Sequence, residues 1–265
     1  MAVPDLTRHP NLVDPLPLLW TSILATRATY PFEQSHESAR WLTACTHSIT
    51  LRGTQTDGLV VTHADEVFVA FRGRKRGEDF RIGLTYEHVQ TQVGTLHRGY
   101  HDELESVWPN LLAALYDARA LDRVLVLCGH SGGGCIAGIA ALRLHDMGFD
   151  VGSVVTFGTP RYLASAGVWP AMIPHIRVVN DGDPIPAVHW PSLQYAYEHA
   201  GEAMYLLESG ALVYQAERLR TARTMERLEA FEAAMGRDGA FQAHSVEGYF
   251  QRMQRSCKRN GLTTT

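Results

Sequence analysis

Two rhythms of apolar residues alternate along the chain. Short β-branched runs recur, and between them lie longer stretches with apolar positions three and four apart. The first 35 residues are rich in proline and read as short turns. Residues 37–49 (ESARWLTACTHSI) place Ala39, Leu42, Cys45 and Ile49 at helical spacing, which predicts a helix there. GLVVTHADEVFVAFRG then gives two apolar runs joined by a polar stretch, a hairpin pattern ending at Phe71. Residues 101–119 are an amphipathic helix, its stripe set by Leu104, Val107, Leu111 and Leu115. A run from Val124 to Cys128 predicts a strand, and a helix follows over about 133–145. VGSVVTFGTPR and IRVVN are two further short strands, and residues 212–235 read as another amphipathic helix. Short strands alternating with longer helices predict an α/β fold, a mostly parallel sheet flanked by helices. No repeat, linker or second domain is visible, so a single domain over 1–265 is expected.

The junction at residues 129–133, Gly-His-Ser-Gly-Gly, carries the chemistry. A strand passing into a helix through a turn this tight needs small residues two positions either side of the central serine. Such a turn sets the Ser131 hydroxyl at the carboxyl end of the strand, with the helix N-terminus behind it. The Gly132 amide then faces the place where a tetrahedral intermediate gathers negative charge. A phosphate-cradling loop is excluded, because no Lys-Ser/Thr pair follows the glycines and the pattern is not GxGxxG. A serine nucleophile needs an imidazole base and a buried carboxylate, in the chain order Ser, Asp, His for this kind of fold. Spacing alone does not choose among the carboxylates and imidazoles beyond Ser131.

Formal net charge is −4, from 24 basic and 28 acidic residues, which gives no electrostatic case for nucleic acid. The short basic runs RGRKR and CKRN are isolated. Cys45, Cys128, Cys135 and Cys257 show no CxxC spacing and are expected to be free, buried thiols. No HExxH or paired-ligand spacing appears, so neither a metal nor a cofactor is expected. The N-terminus lacks a basic region followed by a continuous apolar run, and no later segment approaches a membrane span. Cytoplasmic location without stable membrane insertion is the resulting expectation.

Seven blocks in order resemble the class 3 lipases, the fungal-lipase-like branch of the α/β-hydrolases. They are VAFRG (69–73), LHRGY (96–100), GHSGGG (129–134), VTFGTPR (155–161), RVVNDGDPIP (177–186), YEHAGEAMYL (197–206) and HSVEGYF (244–250). The resemblance implies an α/β-hydrolase fold and ester hydrolysis through an acyl-enzyme, with Ser131 as nucleophile. Asp183 fits the family's Asp–hydrophobic–Pro pattern with Pro184 intervening, while Asp181 reads as a turn residue. His244 matches the family's His-Ser-x-x-x-Tyr block and is the expected base, with His189 and His199 as alternatives by sequence order. His130 and His97 read as structural.

The second oxyanion donor is implied to follow VAFRG, where relatives carry Ser or Thr and this chain has Arg74. Its backbone amide survives the change and the short hydroxyl does not. Residues 75–95 hold the place of a lid, with Phe80, Ile82 and Leu84 as candidate apolar contacts, and Val168, Trp169 and Met172 are candidate acyl-pocket walls. The implied substrate is an acylglycerol or other ester lipid, with room for transient contact with a lipid–water interface. A short-chain esterase or phospholipase would use the same residues. A hydrolase-like binding or scaffold protein is the alternative of another class.

Overall fold

A computed structural model describes residues 14–30, 36–54, 56–73, 87–164, 169–187, 197–214 and 242–262. An eight-stranded sheet organises them. Its strands are β1 (His47–Arg52), β2 (Asp57–His63), β3 (Glu66–Phe71), β6 (Val124–His130), β7 (Val151–Phe157), β8 (His175–Asn180), β9 (Glu202–Leu206) and β10 (Leu212–Tyr214), adjacent in that order. Between β3 and β6 in the chain, a separate hairpin is formed by β4 (His88–Thr91) and β5 (Gly94–His97). β3, β6, β7, β8 and β9 run parallel, while β1, β2 and β10 add antiparallel margins. The parallel strands are rich in apolar residues because both faces are covered, and every residue of β7 and β8 is buried, the polar His175, Arg177 and Asn180 included.

Two apolar layers sandwich the sheet. One is built on α3 (Arg98–Asp117) and α4 (Gly132–Asp146), through Leu104, Leu111, Ile136 and Ile139. The other contains α1 (Leu16–Ala28) and α5 (Val246–Arg259), through Leu19, Ile23, Tyr249 and Met253. α1 and α5 are also joined directly. Trp20 stacks on Phe250 with ring centroids 5.3 Å apart, the Arg27 guanidinium lies 4.1 Å from the centre of the same ring, and Arg27 pairs with Glu247.

The parallel α/β arrangement, the hairpin ending at Phe71 and the helix over 101–119 agree with the sequence reading. Three expectations are corrected. The proline-rich start contains α1, which is buried on nearly all sides and so shows no amphipathic stripe; its prolines sit at the first turn, where a missing N–H costs nothing. The helix expected over 37–49 is α2 (His36–Thr43), which stops at Thr43, and β1 begins at His47. The β-branched, hydroxylated sequence after Thr43 favours an extended chain, and β1 is an outer strand with one face largely in solvent. The helix expected over 212–235 begins instead with strand β10, where Leu212 to Tyr214 pair with Leu206 to Met204; residues 215–241 lie outside the described set. None of the four cysteines forms a disulfide, and Cys45 is half-buried where full burial was expected.

Candidate active site

β6 delivers Ser131 to the carboxyl edge of the parallel strands, and α4 begins at the next residue. Ser131 has φ 55° and ψ −130°, a strained backbone for a residue with a side chain. The flanking glycines make the turn possible. A Cβ at Gly129 would fall on the Gly133 carbonyl, and one at Gly133 would fall on the Phe71 and Arg72 backbone. The Ser131 amide donates to the Phe157 carbonyl at 2.9 Å, fixing the turn to β7. We expect Gly133→Ala to cost about 3 kcal/mol of stability, because the obstructing atoms are main chain and cannot rotate away. Urea denaturation of the purified variant measures this.

The imidazole of His244 stands over that hydroxyl. Its Nε2 is 2.9 Å from Ser131 Oγ, and its Nδ1 is 3.0 and 3.1 Å from the two oxygens of Asp183. Asp183 lies in the turn after β8 and has no solvent exposure. Its carboxylate also accepts from the Tyr249 hydroxyl at 2.5 Å and from the Ile185 amide at 2.9 Å. Since a carboxylate only accepts, His244 Nδ1 carries the proton, leaving the Nε2 lone pair to face the serine. Sequence order left His189 and His199 open as bases. His199 Nε2 instead meets the Pro186 carbonyl at 2.9 Å, and His189 lies outside the described residues.

The supports of this triplet come from segments far apart in the chain. Ser245 caps α5 by accepting from the Gly248 amide at 2.9 Å, so His244 sits on the residue before a fixed helix start. The Asn180 side chain donates to the Ala243 carbonyl at 2.9 Å, and the Asn180 amide donates to the Tyr249 hydroxyl at 3.0 Å. Gly158, at φ 60°, leaves no room for a side chain: a Cβ there would approach Asp183, Tyr249 and His244 within about 3 Å. Tyr249 and Gly158 went without roles in the sequence reading, although both fall inside matching blocks. Tyr249→Phe should lower kcat about tenfold and stability by about 1–3 kcal/mol, since it removes a donor from buried Asp183 and an acceptor from the Asn180 amide. Steady-state kinetics alongside thermal melting check both.

The Gly132 amide is the first of α4, and a helix offers no internal carbonyl to such a group. The helix dipole adds to its attraction for negative charge. Gly73, after β3, lies against the elbow, because a Cβ on it would come within 3.0 Å of Ser131 Cβ. Its neighbour Arg74 lies outside the described residues, as do Phe80, Ile82, Leu84 and Val168. Trp169 and Met172, the other two candidate pocket walls, are among the described residues. The Trp169 indole donates to the Ile173 carbonyl and packs on His175, with ring centroids 4.8 Å apart. His175 lies opposite Val154 and Leu127 in register, roughly 13 Å short of Ser131 along the strands. Met172 is 69 % exposed.

Three further imidazoles, those of buried His130 and His175 and half-buried His199, are held neutral. Burial, aided by the charge of Arg177, pushes His175 down to about 3. Burial, then Arg177 and Arg161, holds His199 well below the usual histidine range. Burial, then the proximity of His244, does the same for His130. Unfolded histidines take up protons near pH 6.5, so below that pH the unfolded chain binds protons that the folded chain refuses. The contribution of these three groups to stability is therefore expected to be complete above about pH 6.5 and to decline as the pH falls toward about 3. Urea midpoints at pH 7 and pH 5 should show this decline, and His175→Gln should flatten it.

Among the described residues no cluster of three or more His, Cys, Asp or Glu could hold a metal, and no helix is long and apolar enough to cross a membrane. The sequence model of the family described as lipase (class 3) matches residues 48–192, more than half of the chain. A secreted mono- and diacylglycerol lipase of Fusarium solani is 31 % identical over 157 residues, covering 56 % of this chain and 45 % of that enzyme. The match thus spans less than half the length of that relative. The Rhizomucor miehei triacylglyceride lipase structure shares 22 % identity at a TM-score of 0.59, over 73 % of this chain and 80 % of that one. A fungal lipase–inhibitor complex gives 21 % and 0.63, over 76 % and 83 %. At these identities the structural likeness speaks for the fold. Together with the family match over residues 48–192, it leads to one conclusion: the chain belongs to the class 3 lipase family.

Proposed function

We propose that this protein hydrolyses carboxylic esters, acylglycerols in particular, through an acyl-enzyme formed on Ser131. The observation that carries the reading is the continuous contact from buried Asp183 through His244 to the Ser131 hydroxyl at a helix N-terminus. In the first half-reaction Ser131 Oγ attacks the ester carbonyl carbon while His244 Nε2 takes its proton. Asp183 holds the tautomer and stabilises the imidazolium. The carbonyl oxygen becomes an oxyanion facing the Gly132 amide and, in our assignment, the Arg74 amide. His244 then protonates the departing alcohol. Water, deprotonated by the same nitrogen, attacks the acyl group and releases the fatty acid and free Ser131.

Family membership supports the ester-hydrolase chemistry, and the Fusarium relative, named as a mono- and diacylglycerol lipase, supports acylglycerols as substrates. Contact with a lipid–water interface belongs to the same reading. One feature favours a short-chain esterase as the second reading: Arg74 stands where relatives supply a small hydroxyl.

Initial rates on p-nitrophenyl esters from acetate to palmitate, followed by emulsified mono-, di- and triacylglycerols, decide between the two. Rates that rise with chain length and persist on emulsions are expected. Activity confined to short, soluble esters would establish the esterase. Absence of Ser131-dependent turnover on every ester would overturn both and favour a binding or scaffold role.

A further inference from the structure

We propose that Tyr30 and His130 form a positioning relay that locks the backbone of the His244 base to the loop after β3, making the exit of α1 a working part of the site. The inference rests on the hydrolase reading above and reaches outside the matched family region, which begins at residue 48.

Three hydrogen bonds define the relay. The Gly73 amide donates to the Tyr30 hydroxyl oxygen at 2.8 Å. Tyr30 Oη is 2.8 Å from His130 Nδ1, and His130 Nε2 is 2.5 Å from the His244 carbonyl oxygen. Donor and acceptor rules fix the direction of all three. A carbonyl oxygen only accepts, so Nε2 of His130 carries the proton and Nδ1 presents a lone pair. The Tyr30 O–H therefore donates to Nδ1 and uses its own lone pair for the Gly73 N–H. Every bond runs from Gly73 toward His244, the arrangement in which neighbouring bonds polarise one another.

Each end of the chain of bonds sits where position matters. Gly73 abuts Ser131 and is the residue before Arg74, our second oxyanion donor. His244 is the base, and its ring lies 4.8 Å from that of His130. Between them stands His130, the residue before Ser131, so the nucleophile's strand also enters the relay. Tyr30 follows α1, and α1 is clamped to α5 by the Trp20–Phe250 stack and the Arg27–Glu247 pair. A shift of either catalytic element thus strains bonds to the other. Burial keeps the His130 imidazole neutral, so it holds its one-directional pattern beside a ring that becomes cationic during turnover.

Kinetics of Tyr30→Phe, His130→Phe and the double variant test the relay on a soluble p-nitrophenyl ester. Each single change should lower kcat about 10- to 100-fold, with KM little altered and the folded circular-dichroism spectrum retained. Because both cut one chain of bonds, the double variant should fall no more than about threefold below the poorer single. His130→Gln, which keeps an N–H for the His244 carbonyl, should recover part of the loss. Unchanged kcat in folded Tyr30→Phe, or losses that multiply in the double variant, would overturn the proposal.

A second readout is independent of turnover and keeps failure of the relay apart from failure of the hydrolase reading. NMR of the protein labelled with ¹⁵N-histidine should show His130 neutral and protonated on Nε2 from about pH 5 to about pH 8. A proton on Nδ1, or titration within that range, would refute the relay even in an active enzyme. An inactive Ser131-independent protein with the expected His130 signature would instead refute the hydrolase reading.

Discussion

Ser131→Ala is expected to lower kcat by about 10⁶-fold on every ester the wild type accepts, a loss of the size seen when other Ser–His–Asp hydrolases lose their nucleophile. Alanine removes one oxygen and leaves the Cβ, so the turn, the Gly132 amide and the His244–Asp183 pair keep their places. Substrate binding should survive and the covalent path should vanish. Stopped assays with long incubations measure so large a difference, and substrate protection against proteolysis tests whether binding persists. The same residue tests the energetic cost of the elbow. Ser131 holds φ 55° and ψ −130°, which glycine adopts freely. Ser131→Gly should therefore be inactive yet about 1–3 kcal/mol more stable than wild type, the strain being released with the side chain. Paired urea curves would show a raised midpoint with an unchanged slope.

Asp183→Asn should lower kcat about 10⁴-fold with the fold intact, as loss of the triad carboxylate does elsewhere. The reason lies in the bonding around residue 183. The carboxylate accepts from the His244 ring, the Tyr249 hydroxyl and the Ile185 amide, and none of these groups is replaced by the change. An amide offers a single acceptor oxygen and introduces an NH2 donor. If the oxygen serves Tyr249 or Ile185, the NH2 faces His244 Nδ1. It then draws the imidazole proton to Nε2, and a protonated Nε2 cannot take a proton from Ser131. Loss of charge also leaves the imidazolium of the transition state without its counter-ion at a position that water does not reach, residue 183 being fully buried. Steady-state kinetics should show the loss in kcat with KM little changed, and a melting curve should show a folded protein.

Much of this site was legible in the sequence because its strongest signals are local. The strand–Gly-x-Ser-x-Gly–helix pattern is dictated by steric crowding within a few residues, so Ser131 and Gly132 could be read from composition in order. The assignments of Asp183 and His244 needed the family resemblance, because their meeting depends on the end of β8 and the start of α5, 61 residues apart. Tyr249 follows His244 closely, but its function depends on Asp183 and Asn180 across the sheet edge. Tyr30 lies 100 residues before His130 in the chain, inside a region read as turns. That misreading has a physical cause. α1 packs against both the sheet and α5, so it is buried on most sides, and periodicity, the usual sign of a helix, is lost when little of it meets water.

The most direct test of the account is stoichiometric labelling with a fluorophosphonate, read by intact-mass and peptide mass spectrometry. The account predicts one adduct per chain, carried on Ser131, formed rapidly in wild type and absent from Ser131→Ala. Slow labelling is predicted for Asp183→Asn. A folded protein that takes no label, or one labelled equally after Ser131 is removed, would contradict it.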